Sequence, residues 1–204
     1  MPETFDCVIL GGGHNGLTSA AYLAKANKSV LVLEAQPEVG GAAVSAKPFK
    51  GLDANLSRYS YLVSLLPQQI IDDLDLKLNL ISRTIGSYTP VNIDGEDLGL
   101  LVERSWGEKT KQSFKSVTGS DKDFEIWSDF YTRIEKAAQV IAPTMLEPLI
   151  SQSELKKKVI AATDQETYDW LFTKPITQTI EELFENDSVR GVVLTDALIG
   201  TFTD

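Results

Sequence analysis

The sequence contains a single cysteine, Cys7, among its 204 residues. One thiol excludes an internal disulfide, a Cys-x-x-Cys redox pair and a cysteine-based zinc site. Because Cys7 falls within a short apolar segment, we expect it to behave as a small buried hydrophobic residue. This cysteine usage is typical of a cytoplasmic protein without a thiol relay, and no metal site is predicted.

Positive charge is also scarce, since 19 Lys and Arg residues stand against 29 Asp and Glu residues and give a net charge of −10. This balance argues against nucleic acid or an anionic membrane as the main partner. The one basic run, at 156–158, is typical of a solvated helix face. No apolar stretch approaches the roughly 20 residues that span a bilayer, so no transmembrane segment is expected. The first apolar strand begins close to Met1, which leaves no room for a signal or transit peptide.

The most informative pattern lies in residues 5–34. Its parts follow one another in chain order: an apolar strand at 5–10, the motif G-x-G-x-x-G on Gly11, Gly13 and Gly16, an alanine-rich helix, a second apolar strand at 29–33, and Glu34. This order and spacing predict a parallel βαβ unit of the Rossmann type, which binds dinucleotides.

Each residue of the motif has its own physical role in such a site. Gly11 permits the tight turn, Gly13 lets a pyrophosphate approach the backbone, and Gly16 lets the helix pack closely on the strand. The helix N-terminus offers free N–H groups to a diphosphate. The Glu34 carboxylate accepts hydrogen bonds from ribose hydroxyls and repels a 2′-phosphate. The alternative is an ordinary βαβ unit whose glycines only make turns.

A second glycine pair, Gly40-Gly41, follows six residues after the acid. Such a loop can pass close to a second phosphate or to the flavin end of a dinucleotide, or it can be a plain turn. Residues 79–103 then predict strands, with a turn at Asp94-Gly95 and a strand at 98–102.

From about residue 105 the pattern becomes helical. A helix is predicted over 106–117, and caps at Ser120, Thr163 and Ser188 open three further helices. Aromatic residues recur at helical spacing from Phe124 onward; they form either a core or the lining of a tunnel for a lipophilic substrate. The fold class is therefore α/β: a Rossmann-like FAD/NAD(P)-binding region at 1–104, followed by a mainly helical cap or substrate region at 105–204.

Several segments together resemble a family of flavoproteins. They are GGGHNGL at 11–17, AAYL at 20–23, Glu34, GGAAV at 40–44 and SRYSYLVSLL at 57–66. The pattern resembles the FAD-dependent phytoene desaturase-related oxidoreductases. Within them it is similar to the branch named for a pyridine nucleotide-disulfide oxidoreductase domain.

The resemblance implies cofactor roles for ten residues. Gly11, Gly13, Asn15 and Gly16 would hold the FAD diphosphate, with His14 beside it; Glu34 and the adjacent Ala35 would lie at the adenosine ribose; Gly40, Gly41 and Ala42 would approach the flavin. His14, the only histidine, is alternatively a loop position without a special role. No residue is assigned a catalytic role.

Three departures from the family pattern limit what the resemblance implies. Many members carry Arg where this chain has Ala42, so a direct cationic contact to the cofactor is in doubt there. The branch name refers to a disulfide, which one cysteine cannot form, so redox chemistry would run through the flavin ring. Members of the family are also longer, and the chain is interpreted as an N-terminal portion.

The resemblance implies an oxidoreductase that binds FAD, with NAD(P) as an optional second redox partner and a small lipophilic molecule as substrate. An unfinished core would favour a homo-oligomer. Two other functions stay open. One is an NAD-dependent dehydrogenase, since Glu34 would serve NAD equally well, although the sequence offers no Tyr-x-x-x-Lys pair. The other is a catalytically silent module that binds a dinucleotide or a partner protein.

Overall fold

The computed structural model describes residues 4–60, 62–63 and 65–199. Within it the chain divides into two compact units, Met1–Ile81 and Ser82–Asp204.

The first unit is built on a βαβ element. Strand β1 spans Cys7–Leu10, helix α1 spans His14–Lys25 and strand β2 spans Val30–Leu33. The two strands are parallel, and their register runs from Cys7 opposite Val30 to Leu10 opposite Leu33. Alanine and leucine favour the helix, and the chain leaves it through Asn27, which takes a positive φ of 59°. This is the arrangement that the sequence predicted.

Shorter elements complete the first unit. A 3₁₀ turn spans Gly41–Ala43, strands β3 (Ser45–Ala46) and β4 (Leu56–Ser57) pair antiparallel, and helix α2 spans Gln68–Asp73. The Tyr22 hydroxyl of α1 donates a hydrogen bond to the Asp73 carboxylate at 2.7 Å. The Lys25 ammonium donates to the Asp73 carbonyl oxygen. These two contacts hold α2 against the first helix.

The second unit begins with a β-hairpin. Strand β5 spans Ile85–Ile93 and strand β6 spans Glu96–Glu103, antiparallel. The turn falls at Asp94 and Gly95, as predicted, and both residues take positive φ angles, 53° and 88°. The hairpin is joined to the next helix by side-chain hydrogen bonds: the backbone N–H of Leu101 donates to the Ser113 hydroxyl, and that of Glu103 donates to the Thr110 hydroxyl, both at 2.9 Å.

Six α-helices follow the hairpin within the described part of the second unit. They are α3 (Glu108–Thr118), α4 (Lys122–Ile141), α5 (Gln152–Ala162), α6 (Gln165–Phe172), α7 (Ile176–Leu183) and α8 (Asp187–Leu198), with a 3₁₀ turn at Ala142–Leu146. Gly119 ends α3 in the left-handed conformation, with φ 80°. The aromatic stripe of α4 forms core: Trp127 is 3 % exposed and packs against Trp106 and Phe114 at ring-centroid distances of 5.0 and 5.2 Å.

The helix starts differ from the predicted caps by one or two residues. Asp164, not Thr163, caps α6 by accepting a hydrogen bond from the Thr167 N–H. Asn186, not Ser188, caps α8. At α4 the N-cap residue is Asp121, whose side chain makes no capping hydrogen bond, while the predicted Ser120 lies one residue earlier and its hydroxyl accepts from the Lys122 N–H at 3.3 Å. Neighbouring Ser, Thr, Asp and Asn residues compete for a cap, and tertiary packing selects one of them.

The division into compact units lies between Ile81 and Ser82, whereas the sequence placed a boundary near residue 104. Residue 104 does follow the last described strand, which ends at Glu103. The hairpin nevertheless packs into the helical core through Leu100, which is fully buried. The sequence boundary therefore separates strands from helices, and the assignment of 1–104 to nucleotide binding and 105–204 to a cap stays a prediction.

Candidate dinucleotide-binding site

The parallel register brings the glycine-rich loop and Glu34 to the same edge of the small sheet. Leu10 pairs with Leu33, so both strands end together and both following loops emerge side by side. The N–H of Gly11 donates to the Leu33 carbonyl oxygen at 2.7 Å. In open α/β sheets, ligands bind outside this carboxyl edge of the strands.

Two positions in the glycine-rich loop admit no side chain without strain or collision. Gly11 has φ +98°, a conformation that other residues rarely adopt. A Cβ placed on Gly16 would lie 2.1 Å from the carbonyl oxygen of Gly11. The helix therefore begins as close to the strand as the backbone allows, which is the role that the sequence predicted for Gly16.

The N-terminus of helix α1 is open. Gly13 stands at the N-cap, and no side chain among the described residues caps the helix there. The first N–H groups of a helix have no partner within it, and they carry a partial positive charge. His14 and Asn15, the first two helical residues, are exposed. The start of α1 thus presents unsatisfied donors of the kind that binds phosphate oxygens.

Glu34 is fixed at this corner by two backbone hydrogen bonds. One carboxylate oxygen accepts from the N–H of Gln36 at 2.8 Å, and the other accepts from the N–H of Gly12 at 2.6 Å. These bonds, first that from Gln36 and then that from Gly12, lower the pKa of the Glu34 carboxyl below its ordinary value. The group is an oriented anion at neutral pH, which suits an acceptor for ribose hydroxyls.

Gly12 is a residue of this site that the motif analysis did not assign. It is buried, and a Cβ there would lie 2.9 Å from the Val39 Cγ1 atom and 3.2 Å from a Glu34 oxygen. The sequence contains a signal for this role, because Gly12 is the middle residue of three consecutive glycines and lies between the motif positions Gly11 and Gly13. Gly12 lets the acid reach the backbone of the loop.

The second glycine pair lies directly against the first loop. The N–H of Gly40 donates to the Gly12 carbonyl oxygen at 2.7 Å, and Gly40 forms an isolated parallel bridge with Gly13. A Cβ on Gly41 would lie only 2.9 Å from the Gly13 Cα atom. Gly40 and Gly41 have φ angles of +125° and +58°. The structure thus brings together the two loops that the sequence predicted separately.

A cavity of about 310 Å³ opens beside this corner. Its lining residues are Glu34, Gln36, Pro37, Glu38, Gly41, Val44, Ser45 and Arg58. Of the other predicted residues, Ala35 is exposed next to Glu34, and Ala42 is exposed in the 3₁₀ turn. The oriented Glu34 carboxylate thus lines a concave space, together with Gly41 of the second glycine loop.

Metal-binding clusters and membrane-spanning helices are two features that the described residues do not show. No cluster of His, Cys, Asp and Glu side chains there could hold a metal ion. Across the same residues, no helix has the combined length and apolar character needed to cross a bilayer. Cys7 is half-buried rather than buried; it shares one face of β1 with the half-buried Ile9, while Val8 and Leu10 on the other face are exposed.

The comparisons with known proteins agree with this geometry. The model of the NAD(P)-binding Rossmann-like domain matches residues 9–69, a range that includes both glycine loops and Glu34. The fold and this match therefore define residues 9–69 as a Rossmann-like NAD(P)-binding domain.

Three relatives narrow the class further. An uncharacterised protein of Mycobacterium tuberculosis is 40% identical over 97% of this chain. Pyridine nucleotide-disulfide oxidoreductase domain-containing protein 2 of Rattus norvegicus is 32% identical over 99% of it. A limonene dehydrogenase component of Castellaniella defragrans is 28% identical over 83% of it. The chain spans 37%, 38% and 33% of these relatives, in that order.

A solved structure of a putrescine oxidase variant shares the fold, with a TM-score of 0.50 and 23% identity over 91% of this chain and 35% of that one. The Rossmann-like fold class is thereby confirmed. The resemblance to pyridine nucleotide-disulfide oxidoreductase domain-containing protein 2, predicted from the sequence, is confirmed as well. The printed names of two of these relatives, pyridine nucleotide-disulfide oxidoreductase domain-containing protein 2 and the limonene dehydrogenase component, describe oxidoreductases.

Proposed function

We propose that this chain binds FAD at the corner formed by the two glycine loops, in an oxidoreductase of the phytoene desaturase-like class that acts on a small lipophilic molecule. The observation that carries the proposal is the tethered Glu34 carboxylate, held by the Gly12 and Gln36 amides beside an uncapped helix N-terminus. The chain's activity, substrate and cofactor are all part of the proposal.

The residues of the corner fit the adenosine and diphosphate parts of FAD. The start of α1 at Gly13 and His14 supplies N–H donors for the diphosphate. The missing side chain of Gly13 lets the second glycine loop pack against this turn, since a Cβ on Gly13 would lie 3.8 Å from the Gly41 Cα atom. Glu34 supplies the acceptor for ribose hydroxyls. Its charge disfavours a 2′-phosphate, so NADP is a poor ligand for the same pocket.

Bound FAD would supply the redox chemistry through its flavin ring, by accepting or donating a hydride. The protein residues described here would bind and orient the cofactor. The substrate class is supported by the name of one relative, the limonene dehydrogenase component, since limonene is an apolar hydrocarbon. Cytoplasmic location and a homo-oligomeric state stay predictions.

A second candidate is an NAD-dependent dehydrogenase. It is favoured by the matched family, which is described as NAD(P)-binding, and by Glu34, which would bind the adenosine ribose of NAD in the same manner. A third is a module that binds a dinucleotide without turnover.

The test is to identify the ligand and then to measure its affinity. The purified chain is denatured, and the released small molecules are identified by mass spectrometry. Calorimetric titrations of ligand-free protein with FAD and with NAD⁺ follow. We expect released or tightly bound FAD with a flavin absorption spectrum. Binding of NAD⁺ without FAD would establish the second candidate. FAD that binds but is not reduced by NADH, NADPH or lipophilic donors would favour the third.

A further inference from the structure

We infer that Arg58 is the side chain that supplies positive charge to the diphosphate of the bound dinucleotide. This inference rests on the proposed function, because it needs an adenine dinucleotide at the glycine corner. The sequence offered no cation there, since Ala42 stands where many family members carry Arg.

The cavity beside the corner has an unbalanced charge. Its lining includes the carboxylates of Glu34 and Glu38, and among its described lining residues the one cation is Arg58. A diphosphate that entered this space would meet two like charges and would need a positive group to offset them. Arg presents several N–H donors in a planar fork that matches phosphate oxygens.

The position of Arg58 is tied to the glycine loops through the backbone. The N–H of Arg58 donates to the Val44 carbonyl oxygen at 3.0 Å, just beyond the β3–β4 pair. Val44 in turn lies against Gly40, because a Cβ on Gly40 would approach the Val44 Cγ1 atom to 3.0 Å. Gly40 itself pairs with Gly13 at the start of α1. Three successive contacts thus fix the backbone of Arg58 relative to the phosphate-binding turn.

The Arg58 guanidinium is available for a ligand. It makes no ion pair or hydrogen bond with any described residue, and its ring contact with Tyr59 lies at 6.0 Å, the outer limit for a cation–π contact. Lys47 and Lys77, other cations of the same unit, are paired with Asp53 and Asp75. An exposed arginine without a carboxylate partner that lines a cavity can bind an anion without first breaking an ion pair.

The experiment compares two variants at this position with a matched control elsewhere. Arg58→Gln removes the charge and keeps much of the length, and Arg58→Lys keeps the charge but loses the fork. Arg83→Gln is the control, because Arg83 is an exposed arginine of the other compact unit and does not line the cavity. Binding of FAD, ADP and adenosine is measured by calorimetry on each full chain, with circular dichroism to verify folding.

We expect Arg58→Gln to weaken the binding of FAD and of ADP by about 10- to 100-fold, the effect of losing hydrogen bonds to a charged group. The affinities of Arg58→Lys should lie between those of Arg58→Gln and those of the wild type. Adenosine affinity should change by no more than about twofold, because adenosine carries no phosphate, and Arg83→Gln should match wild type for all three ligands. Added salt should weaken ADP binding more in wild type than in Arg58→Gln.

The remaining outcomes separate this inference from the proposed function. Equal ADP affinity in Arg58→Gln and Arg83→Gln overturns the role of Arg58 and leaves FAD binding standing. An equal loss for adenosine and ADP also overturns it, since it assigns Arg58 to the adenine ring. ADP binding that depends on Arg58, in a wild-type chain that rejects FAD, supports the inference and refutes the flavin assignment. A wild-type chain that binds none of the ligands refutes both.

Discussion

The two compact units differ in what their residues do. In the described part of the second unit, 13 hydrophobic residues are buried, from Leu100 to Val193. In the described part of the first unit the one buried residue is Gly12, a residue without a side chain. The candidate site therefore lies in the unit that has almost no core, and the core lies in the unit without an assigned site.

The parallel sheet of the first unit shows why the core of that unit is so small. The sheet consists of β1 and β2 only, and α1 packs on it. The β1 residues Val8 and Leu10 remain 55% and 81% exposed. Parallel sheets occur almost only with both faces covered. The comparison teaches that the geometry of the glycine corner depends on backbone hydrogen bonds and glycine contacts, whereas the second unit depends on side-chain packing.

The largest expected effect tests where the core lies. Phe114 is fully buried and packs against Phe124 and Trp127, so Phe114→Ala should lower the free energy of unfolding by about 3–5 kcal/mol. Leu10→Ala, at an 81% exposed position, should change it by no more than about 0.5 kcal/mol. Urea denaturation followed by circular dichroism measures both. A larger loss in Leu10→Ala than in Phe114→Ala would reverse the comparison.

The next effect tests the backbone geometry of the site. Gly16→Ala places a Cβ 2.1 Å from the Gly11 carbonyl oxygen, so α1 must move away from the strand. We expect FAD affinity to fall at least about tenfold, with about 1–3 kcal/mol lost from stability as in other overpacked sites. Gly191→Ala is the control, because its Cβ would enter open space within α8; it should leave affinity unchanged. Equal affinities in the two variants would show that the close approach at Gly16 is unnecessary for binding.

A smaller effect is expected at the acid. Glu34→Gln removes the charge that accepts from the Gly12 and Gln36 amides, and we expect about tenfold weaker FAD binding. Discrimination against NADP should also decrease, because the repulsion of a 2′-phosphate is gone. Glu38→Gln changes another acid of the same cavity lining that has no such role in our account. If Glu38→Gln weakens FAD binding as much as Glu34→Gln does, the affinity does not depend on the tethered Glu34 carboxylate in particular.

The smallest effect is a dependence on pH. The pKa of the Glu34 carboxyl is lowered in the folded chain by the Gln36 and Gly12 amides. A lowered folded pKa stabilises the fold above the ordinary pKa of the group, and this contribution is lost as pH falls through the lowered value. Hydrogen exchange at the Gly12 amide, followed by NMR, should therefore accelerate across that acidic range relative to the intrinsic rate. The same acidic acceleration in Glu34→Gln would contradict the assignment to Glu34.

Sequence reasoning found the parts of the site that depend on steric rules. Gly11, Gly16 and Glu34 follow from the motif, and the structure gives each an atomic reason: a positive φ, a 2.1 Å approach and two amide donors. The motif did not reveal Gly12, because its role depends on the Val39 and Glu34 side chains that meet there. Arg58 was also missed, because it reaches the cavity through a strand pairing that joins residues far apart in sequence.

The fold class followed from periodicity, while the compact units did not. The hairpin turn at Asp94-Gly95 and the end of α3 at Gly119 are local, and turn chemistry predicts them. Which unit the hairpin joins is decided by Leu100, whose burial against helices is a long-range contact. The helix caps differ from the predicted residues for the same reason. The Asp164 side chain accepts hydrogen bonds from both Thr167 and Arg133, and the contact with Arg133 is long-range, so the local sequence does not show it.

Hydrogen–deuterium exchange with and without FAD tests the central claim most directly, because it reports both units at once. The account predicts slower exchange in peptides that cover residues 11–17 and 34–44 when FAD is added, and unchanged exchange in a peptide that covers α3, residues 108–118. Gly16→Ala should need an FAD concentration at least about tenfold higher for the same protection. Unchanged exchange at both glycine loops in protein saturated with FAD, or protection confined to the helical unit, would contradict it.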